Sequence, residues 1–166
     1  MRILSVGSLS GMSNTCLHRN WALHKVADEV DEINTQLNPI TLWGRICYHL
    51  FFLGLPIRIP ENNKENEKIC KMVKNKDYDI VWIDKGHTIL PSTLKYIKKI
   101  SPNTIIVSYS PDNMALRHNQ TQQYLETIPL YDYFFTNKSY ILDNMRKLGA
   151  KNIFFVNNSY EETFHH

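Results

Sequence analysis

The chain has 166 residues, a length that fits one domain with its own hydrophobic core. Its net charge is only +3, and no stripe of Lys and Arg of the kind that contacts a nucleic-acid backbone is visible, so we expect no nucleic-acid partner. Three cysteines without a CxxC or Cys/His pattern argue against a disulfide framework or a zinc site. The N-terminus lacks the pattern of a signal peptide, so we expect a cytoplasmic protein.

Strand-like and helix-like segments alternate along the whole chain. We predict strands at 2–6, 30–34, 80–83, 104–109, 133–136 and 152–156, with helices in the intervening segments. The runs at 80–83 and 104–107 are apolar throughout, which is typical of strands buried on both faces of a parallel sheet. The pattern predicts an α/β fold: a single Rossmann-like domain over 1–166, with a doubly wound, mainly parallel six-stranded sheet and helices on both faces. In that winding we expect the first and fourth strands to be neighbours.

The most hydrophobic segment is ITLWGRICYHLFFLGLPI, at 40–57. It is shorter than the roughly 20 residues that cross a bilayer, and Arg45 and His49 interrupt it, so we expect no transmembrane segment. Apolar residues recur at helical spacing and predict a helix that packs against the sheet. The alternatives are a dimer contact, which would make the chain a homo-oligomer, and a wall for an apolar part of a substrate.

Polar residues follow two of the apolar strands at the point where each strand ends. Asp84 and Lys85 follow the third strand, and Asp112 and Asn113 follow the fourth. Ligands of open parallel sheets bind beyond the carboxyl ends of the strands, so these residues are candidate site residues. Asp112 could take a proton as a general base, or it could be an ordinary turn residue. Asp84 and Lys85 could instead form an ion pair or a helix cap.

The loop from Gly7 to Gly11 lies between the first strand and the first helix. It is not a GxGxxG loop, and no clear acidic residue ends the second strand, so a nicotinamide site is weakly supported. Small residues at a helix N-terminus, here Gly7, Ser8 and Gly11, suit a phosphate or a sugar hydroxyl, although a plain tight turn would look the same. His18 and Arg19 follow early in the helix, where they could bind substrate or lie on the solvated surface.

No metal or other cofactor is predicted. The Asp77-Tyr-Asp79 sequence has the two spaced carboxylates of a DxD metal site. It precedes the third strand, however, and therefore lies at the amino edge of the sheet, away from the predicted crevice, so a turn is the better interpretation. His87 and His118 lack the spacing of metal ligands.

Four stretches together carry a family resemblance. They are MRILSVGSLSGMSNTCLHRNWAL, a strand ending in DKG, a strand ending in YSPDNM, and LYDYFFTNKSYILDNMRKLGAKNIFFVNNSY. In order and spacing they resemble the N-terminal domain of bacterial GT-B glycosyltransferases of the spore-maturation type. The resemblance covers most of the chain and is weakest over 37–75.

The resemblance implies an acceptor-binding domain that faces a second domain holding most of the nucleotide sugar. It implies Asp112 as the catalytic base, and substrate binding by Gly7, Ser8, Gly11, His18, Arg19, Asp84, Lys85 and Asn113. We expect activity, and nucleotide-sugar binding, only together with a C-terminal domain or a partner chain. The alternative is a non-enzymatic α/β binding or assembly module that kept the fold and lost the chemistry, so enzyme status stays open.

Overall fold

The structure is a computed structural model that describes residues 1–35 and 38–159. Its strands are β1 (Arg2–Gly7), β2 (Glu29–Asn34), β3 (Ile80–Asp84), β4 (Ile105–Ser110), β5 (Tyr133–Thr136) and β6 (Ile153–Phe155). Its α-helices are α1 (Thr15–Val26), α2 (Leu42–Phe52), α3 (Glu65–Asn75), α4 (Pro91–Ile100), α5 (Gln122–Thr127) and α6 (Leu142–Lys147). Short 3-10 turns cover Arg117–Asn119, Ile128–Leu130 and Ser139–Ile141. The predicted α/β fold is confirmed.

The six strands form one parallel sheet in the order β2-β1-β3-β4-β5-β6. The expectation that the first and fourth strands are neighbours is wrong. The chain leaves β2, crosses β1 and enters the sheet as β3, which pairs with β1 from Ile3↔Ile80 to Val6↔Ile83. The direction of winding therefore changes between β1 and β3, and a crevice at the carboxyl edge is expected there.

One face of the sheet carries the main hydrophobic core. Its strand residues include Leu4, Val6, Val81, Ile83 and Ile106, and they form one cluster with Ile69 and Val73 of α3 and Leu94 and Ile97 of α4. Successive residues of a strand point to opposite faces, so Trp82 and Asp84 lie on the second face. Helix α1 packs on that second face, against β1 and β2.

Aromatic rings run across the second face from β3 to β6. The ring of Trp82 lies 6.0 Å from that of Tyr109 and 6.3 Å from that of Phe135. Phe135 in turn stacks on Phe154, with ring centroids 5.7 Å apart. Phe154 is 47% exposed, so this row reaches solvent at the β6 edge.

The prediction that 40–57 packs against the sheet is wrong for most of the segment. Cys47 and Phe51 of α2 are buried, but Trp43 is 67% exposed. Helix α2 packs beside the 3-10 turn Arg117–Asn119 rather than on the strands. The inner side of α2, with Cys47 and Phe51, is covered, whereas its outer half, which mixes apolar residues with Arg45 and His49, stays exposed. Among the described residues, no helix has the length and apolar character to span a membrane.

Candidate functional site

The turn after β3 has an unusual backbone that its sequence explains. Lys85 and Gly86 both adopt positive φ, at 61° and 68°. A Cβ on Gly86 would lie 2.8 Å from the Tyr131 hydroxyl, so close packing as well as backbone conformation requires glycine. The Lys85 amide donates to the Tyr109 carbonyl at 2.8 Å, which ties the turn to β4. The turn therefore holds the Lys85 side chain in a defined place at the carboxyl edge.

Asp84 is buried at the end of β3, and both of its carboxylate oxygens accept hydrogen bonds. Arg19 donates to Oδ1 from Nε at 2.9 Å and from a terminal nitrogen at 2.5 Å. Trp82 donates its indole N–H to Oδ2 at 3.0 Å. Burial raises the pKa of the Asp84 carboxyl, while the Arg19 guanidinium opposes that shift. The Asp84 carboxylate thus accepts hydrogen bonds from Arg19 and Trp82, and it fixes the position of Arg19.

Arg19 is held from several sides. Its guanidinium carbon lies 4.2 Å from the centroid of the Tyr109 ring, and a terminal nitrogen lies 3.5 Å from the Cys16 sulfur. Gly7 makes this arrangement possible, because a Cβ there would lie 2.9 Å from the Cβ of Asp84. Burial, and next the charge of Asp84, raises the pKa of the Cys16 thiol to about 11. The structure therefore joins Gly7, Arg19 and Asp84 in one contact network.

Lys85 and Asp112 form a second pair at the same edge. The Lys85 ammonium lies 2.7 Å from Asp112 Oδ2, and both side chains remain partly exposed. The Asp112 amide donates to the Ser110 hydroxyl at 3.3 Å, and the Asn113 side-chain oxygen accepts from the Ala115 amide at 3.2 Å. Asn113 thus shapes the turn after β4, whereas the carboxylate of Asp112 faces Lys85 and solvent.

Two asparagines hold the loop between β1 and α1. Asn14 caps α1 by accepting from the Cys16 amide and donates to the carbonyl and hydroxyl of Ser8 at 2.7 and 3.1 Å. Asn34 accepts from the Leu9 amide at 2.9 Å. Gly11, at φ 89°, is exposed at the far end of the loop. The sequence analysis does not name Asn34, which ends β2 where a nicotinamide site would need an acidic residue.

His18 contacts the backbone of the same loop. Its Nε2 lies 2.7 Å from the Met12 carbonyl, and its ring stacks on Trp21 with centroids 5.3 Å apart. The His18 side chain is 9% exposed, so most of it is buried in the protein. The predicted site residue is therefore near the site but is bonded to the backbone of its own loop.

His87 is a buried residue of this site for which sequence reasoning found no role. Burial, and next the charge of Lys85, lowers the pKa of its imidazole to about 4. Its Nδ1 has no hydrogen-bond partner among the residues that the structure describes, and the same holds for the hydroxyl of Tyr124. His87 directly follows the turn at Gly86, and the Tyr124 ring lies 5.9 Å from the His87 ring.

A cleft of about 480 Å³ lies at the carboxyl edge, and Arg19 is the member of the two ion pairs that lines it. It lies between the start of α1 and the segments that follow β4, β5 and β6. Its lining includes His18, Arg19, Tyr109, Pro111 and Asn137. A smaller hollow is lined by Ser8, Asp84 and Lys85. Of the predicted site residues, Gly7, Gly11, Asp112 and Asn113 line neither of these two hollows. The cleft offers an aromatic ring, a guanidinium and amides to a polar ligand, with Asp112 next to Pro111.

No family model and no curated protein sequence matches this chain. Solved structures of the same fold do align with it. An α-glucosyltransferase in complex with UDP and a 13-mer DNA containing a HMU base aligns with 93% of this chain at 23% identity and a TM-score of 0.53. An α-glucosyltransferase in complex with UDP-glucose and DNA containing an abasic site aligns with 93% at 20% identity and a TM-score of 0.51. This chain spans 41% and 42% of those chains. At such identities the likeness shows a shared fold.

The expectation that excluded nucleic acid as a partner is wrong. Both of these α-glucosyltransferase structures contain DNA, so chains of this fold do meet nucleic acid. Net charge is a property of the whole chain, whereas a nucleic acid contacts only one surface of a protein. A modest overall charge therefore carries no conclusion about that surface.

Proposed function

We propose that this chain is the acceptor-side domain of a nucleotide-sugar-dependent glycosyltransferase of the GT-B type. The observation that carries the proposal is the pairing of Lys85 with Asp112, at 2.7 Å, at the carboxyl edge of a sheet whose fold is shared with α-glucosyltransferases. The cleft at the same edge is lined by Arg19 and by Pro111, the residue before Asp112. The sequence motifs that resemble the spore-maturation type support the finer family. The cytoplasm is the proposed compartment, in which Cys16, Cys47 and Cys70 stay free thiols.

In the proposed reaction an acceptor hydroxyl oxygen attacks the anomeric carbon of the donor, and the bond from that carbon to the nucleotide diphosphate breaks. The hydroxyl proton passes to the Asp112 carboxylate, which is partly exposed and pairs with Lys85. Lys85 orients that carboxylate through the ion pair. Asp84 acts as a positioning residue, because it holds Arg19 against Tyr109 at the cleft wall.

The small loop residues Gly7, Ser8 and Gly11 would then border the acceptor, with the backbone amides at the start of α1 available to a hydroxyl or phosphate. Most of the donor contacts belong to a second domain, in the same polypeptide or in a partner chain. The aligned α-glucosyltransferases support this division, since this chain spans about two fifths of their length. The DNA in those structures makes nucleic acid one candidate acceptor class, beside small sugars and glycans.

The test is a transfer assay on the polypeptide that carries both domains, with UDP-glucose as donor and release of UDP as readout. Hydroxymethylated duplex DNA and simple sugars serve as acceptors. Asp112→Asn should lower turnover by about 10²-fold or more, because proton transfer by a positioned base is worth that much. The matched control is Asp143→Asn, an exposed aspartate paired with Arg146 on α6.

The chain alone should bind UDP-glucose weakly in calorimetry, since one wall of a cleft can neither orient a donor nor exclude water. Binding with a Kd near 1 µM, or about −8 kcal/mol, would contradict the acceptor-side assignment. If the two-domain polypeptide transfers no sugar to any acceptor, that result supports the alternative of a non-enzymatic binding module. If transfer occurs and Asp112→Asn leaves it unchanged, Asp112 is not the base.

A further inference from the structure

The outer half of α2 and its flanks form an exposed apolar surface that the proposed function does not use. We name it the α2 surface, and it consists of Ile40, Leu42, Trp43, Ile46, Phe52 and Leu53. Three of these side chains are largely in solvent: Leu42 is 75%, Trp43 67% and Leu53 66% exposed. Six large apolar side chains exposed within 14 residues exceed the scattered apolar exposure of an ordinary surface, and such patches mark interaction sites.

The helix cannot turn this surface inward, because its other side is already fixed. Thr41 caps α2 by accepting from the Gly44 amide at 3.0 Å. Gly44 lies so close to the preceding segment that a Cβ there would be 3.2 Å from the Cβ of Pro39. Cys47 and Phe51 are buried, and the Phe51 ring lies 5.6 Å from that of His87. The outer residues are therefore displayed by a helix that is anchored along its inner side.

Helix α2 itself carries no carboxylate, although Glu61 lines a hollow together with Trp43. Between Glu32 and Glu61 the sequence contains no Asp or Glu. Arg45 and His49 are exposed on α2 one turn apart, beside the apolar residues. Arg117 flanks the C-terminal end of the helix, since its Cβ lies 3.5 Å from where a Cβ on Gly54 would be. Arg58 adds no free charge, because Glu126 pairs with it at 2.6 Å.

We propose that the α2 surface binds the surface of an anionic lipid bilayer, with α2 lying parallel to the membrane plane. Trp, Leu, Ile and Phe would enter the boundary between headgroups and acyl chains, as in other interfacial helices. Arg45 and Arg117 would remain among the anionic headgroups, with their aliphatic stems along the apolar layer. This placement needs no membrane-spanning segment.

Charge argues against a second copy of the chain as the occupant. A two-fold interface places the same patch on both subunits, so the exposed Arg45 guanidinium groups of both copies would be brought into one interface. No acidic residue of 33–60 is available to compensate them. An anionic bilayer offers both the apolar layer and the opposite charge, and it fits both properties of the surface.

The α2 surface adjoins the candidate site. Phe51, on its inner side, contacts His87, which follows the turn at Lys85 and Gly86. Membrane binding would therefore hold that turn close to the bilayer. The proposal does not depend on glycosyl transfer, and its test uses no donor or acceptor, so either proposal can fail without the other.

The test is co-sedimentation with vesicles of phosphatidylcholine, with and without phosphatidylglycerol. The chain should bind the anionic vesicles, bind pure phosphatidylcholine more weakly, and lose affinity as salt rises. Leu42→Ser combined with Leu53→Ser should lower the affinity by about tenfold or more, from the apolar area that no longer enters the lipid. Arg45→Glu should weaken binding to anionic vesicles and leave binding to neutral ones nearly unchanged.

Val26→Ser and Tyr140→Ser are the matched controls, because both residues are as exposed as those of the α2 surface and lie on other elements. All variants change exposed residues, and unchanged thermal unfolding will show that they fold. Absence of vesicle binding by the unmodified chain overturns the proposal. Equal loss in the control variants also overturns it, as does a dimer in sedimentation analysis that the α2 substitutions dissociate.

Discussion

The Arg19 guanidinium donates two hydrogen bonds to a single carboxylate oxygen of Asp84, 65 residues further along the chain. This pair joins the first turns of α1 to the end of β3, at the point where the winding of the sheet reverses. Asp84 is almost fully buried and Arg19 mostly so. The candidate site is therefore built on an internal ion pair that is part of the fold.

Removing one partner of this pair should destabilise the protein strongly. We expect Asp84→Ala to lower the free energy of unfolding by about 3–5 kcal/mol, because it leaves the Arg19 charge buried without its partner. Arg19→Ala should lower the free energy of unfolding by a similar amount. The double variant should lower it by less than the sum of the two single changes. Denaturant titrations measure all three values.

Arg146→Ala is the control for this prediction, since its pair with Asp143 is exposed. Exposed pairs contribute about 0–1 kcal/mol, so little change is expected. Strictly additive effects of the Asp84 and Arg19 substitutions would show that the two side chains do not depend on each other.

Gly86 and Gly11 should respond differently to alanine, although both have positive φ. At Gly11 a Cβ meets no atom within 4 Å, so Gly11→Ala should cost only the backbone strain of about 1–2 kcal/mol. At Gly86 the Cβ would also collide with the Tyr131 hydroxyl and lie 3.2 Å from Ile83. Gly86→Ala should therefore cost clearly more than Gly11→Ala in thermal or chemical unfolding. Equal costs would contradict the packing of the turn.

Acid should destabilise the protein through His87. Burial lowers the pKa of this imidazole in the folded state to about 4, whereas it is about 6.5 in the unfolded chain. Between these values the unfolded state binds more protons, so stability is fully present above about pH 6.5 and falls as the pH drops toward 4. The shift corresponds to about 3 kcal/mol. Unfolding free energies measured from pH 7 to pH 4 should show this loss.

His87→Gln should flatten that pH dependence, even though it lowers stability at neutral pH. His49→Gln is the control, because His49 is exposed on α2. A steep loss of stability over the same range in the His87 variant would assign the effect to other groups.

The three cysteines should react with a thiol reagent in the order of their exposure. Cys16 and Cys47 are 3% and 2% exposed, while Cys70 is partly exposed. Burial also raises the pKa of the Cys16 thiol to about 11, which keeps it from forming the reactive thiolate at pH 8. Labelling of the folded protein at pH 8 should modify Cys70 first, and Cys70→Ser should leave only slow labelling. Rapid reaction of Cys16 would contradict its packing under Arg19.

Much of the fold could be predicted from local pattern. Hydrophobic periodicity, together with residues such as Pro91 that begin or end an element, predicted the observed bounds of β5 and of the helix α4. Both signals depend on residues that are close together in the chain. The carboxyl-edge position of Asp84 and Asp112 also followed, because a residue that ends a parallel strand must lie at that edge. Their partners could not be predicted, because Arg19 with Asp84 and Lys85 with Asp112 are pairs between distant segments.

The sequence by itself determined the alternation of strands and helices, the parallel α/β class and the polar turns that end β3 and β4, because each depends on residues close together in the chain. Only the tertiary structure decided that β3 rather than β4 lies beside β1, that Asp84 is engaged by Arg19, and that the outer half of α2 is exposed. These outcomes depend on which distant surfaces meet. An apolar helix has the same sequence pattern whether a sheet, solvent or a lipid layer lies against its second side.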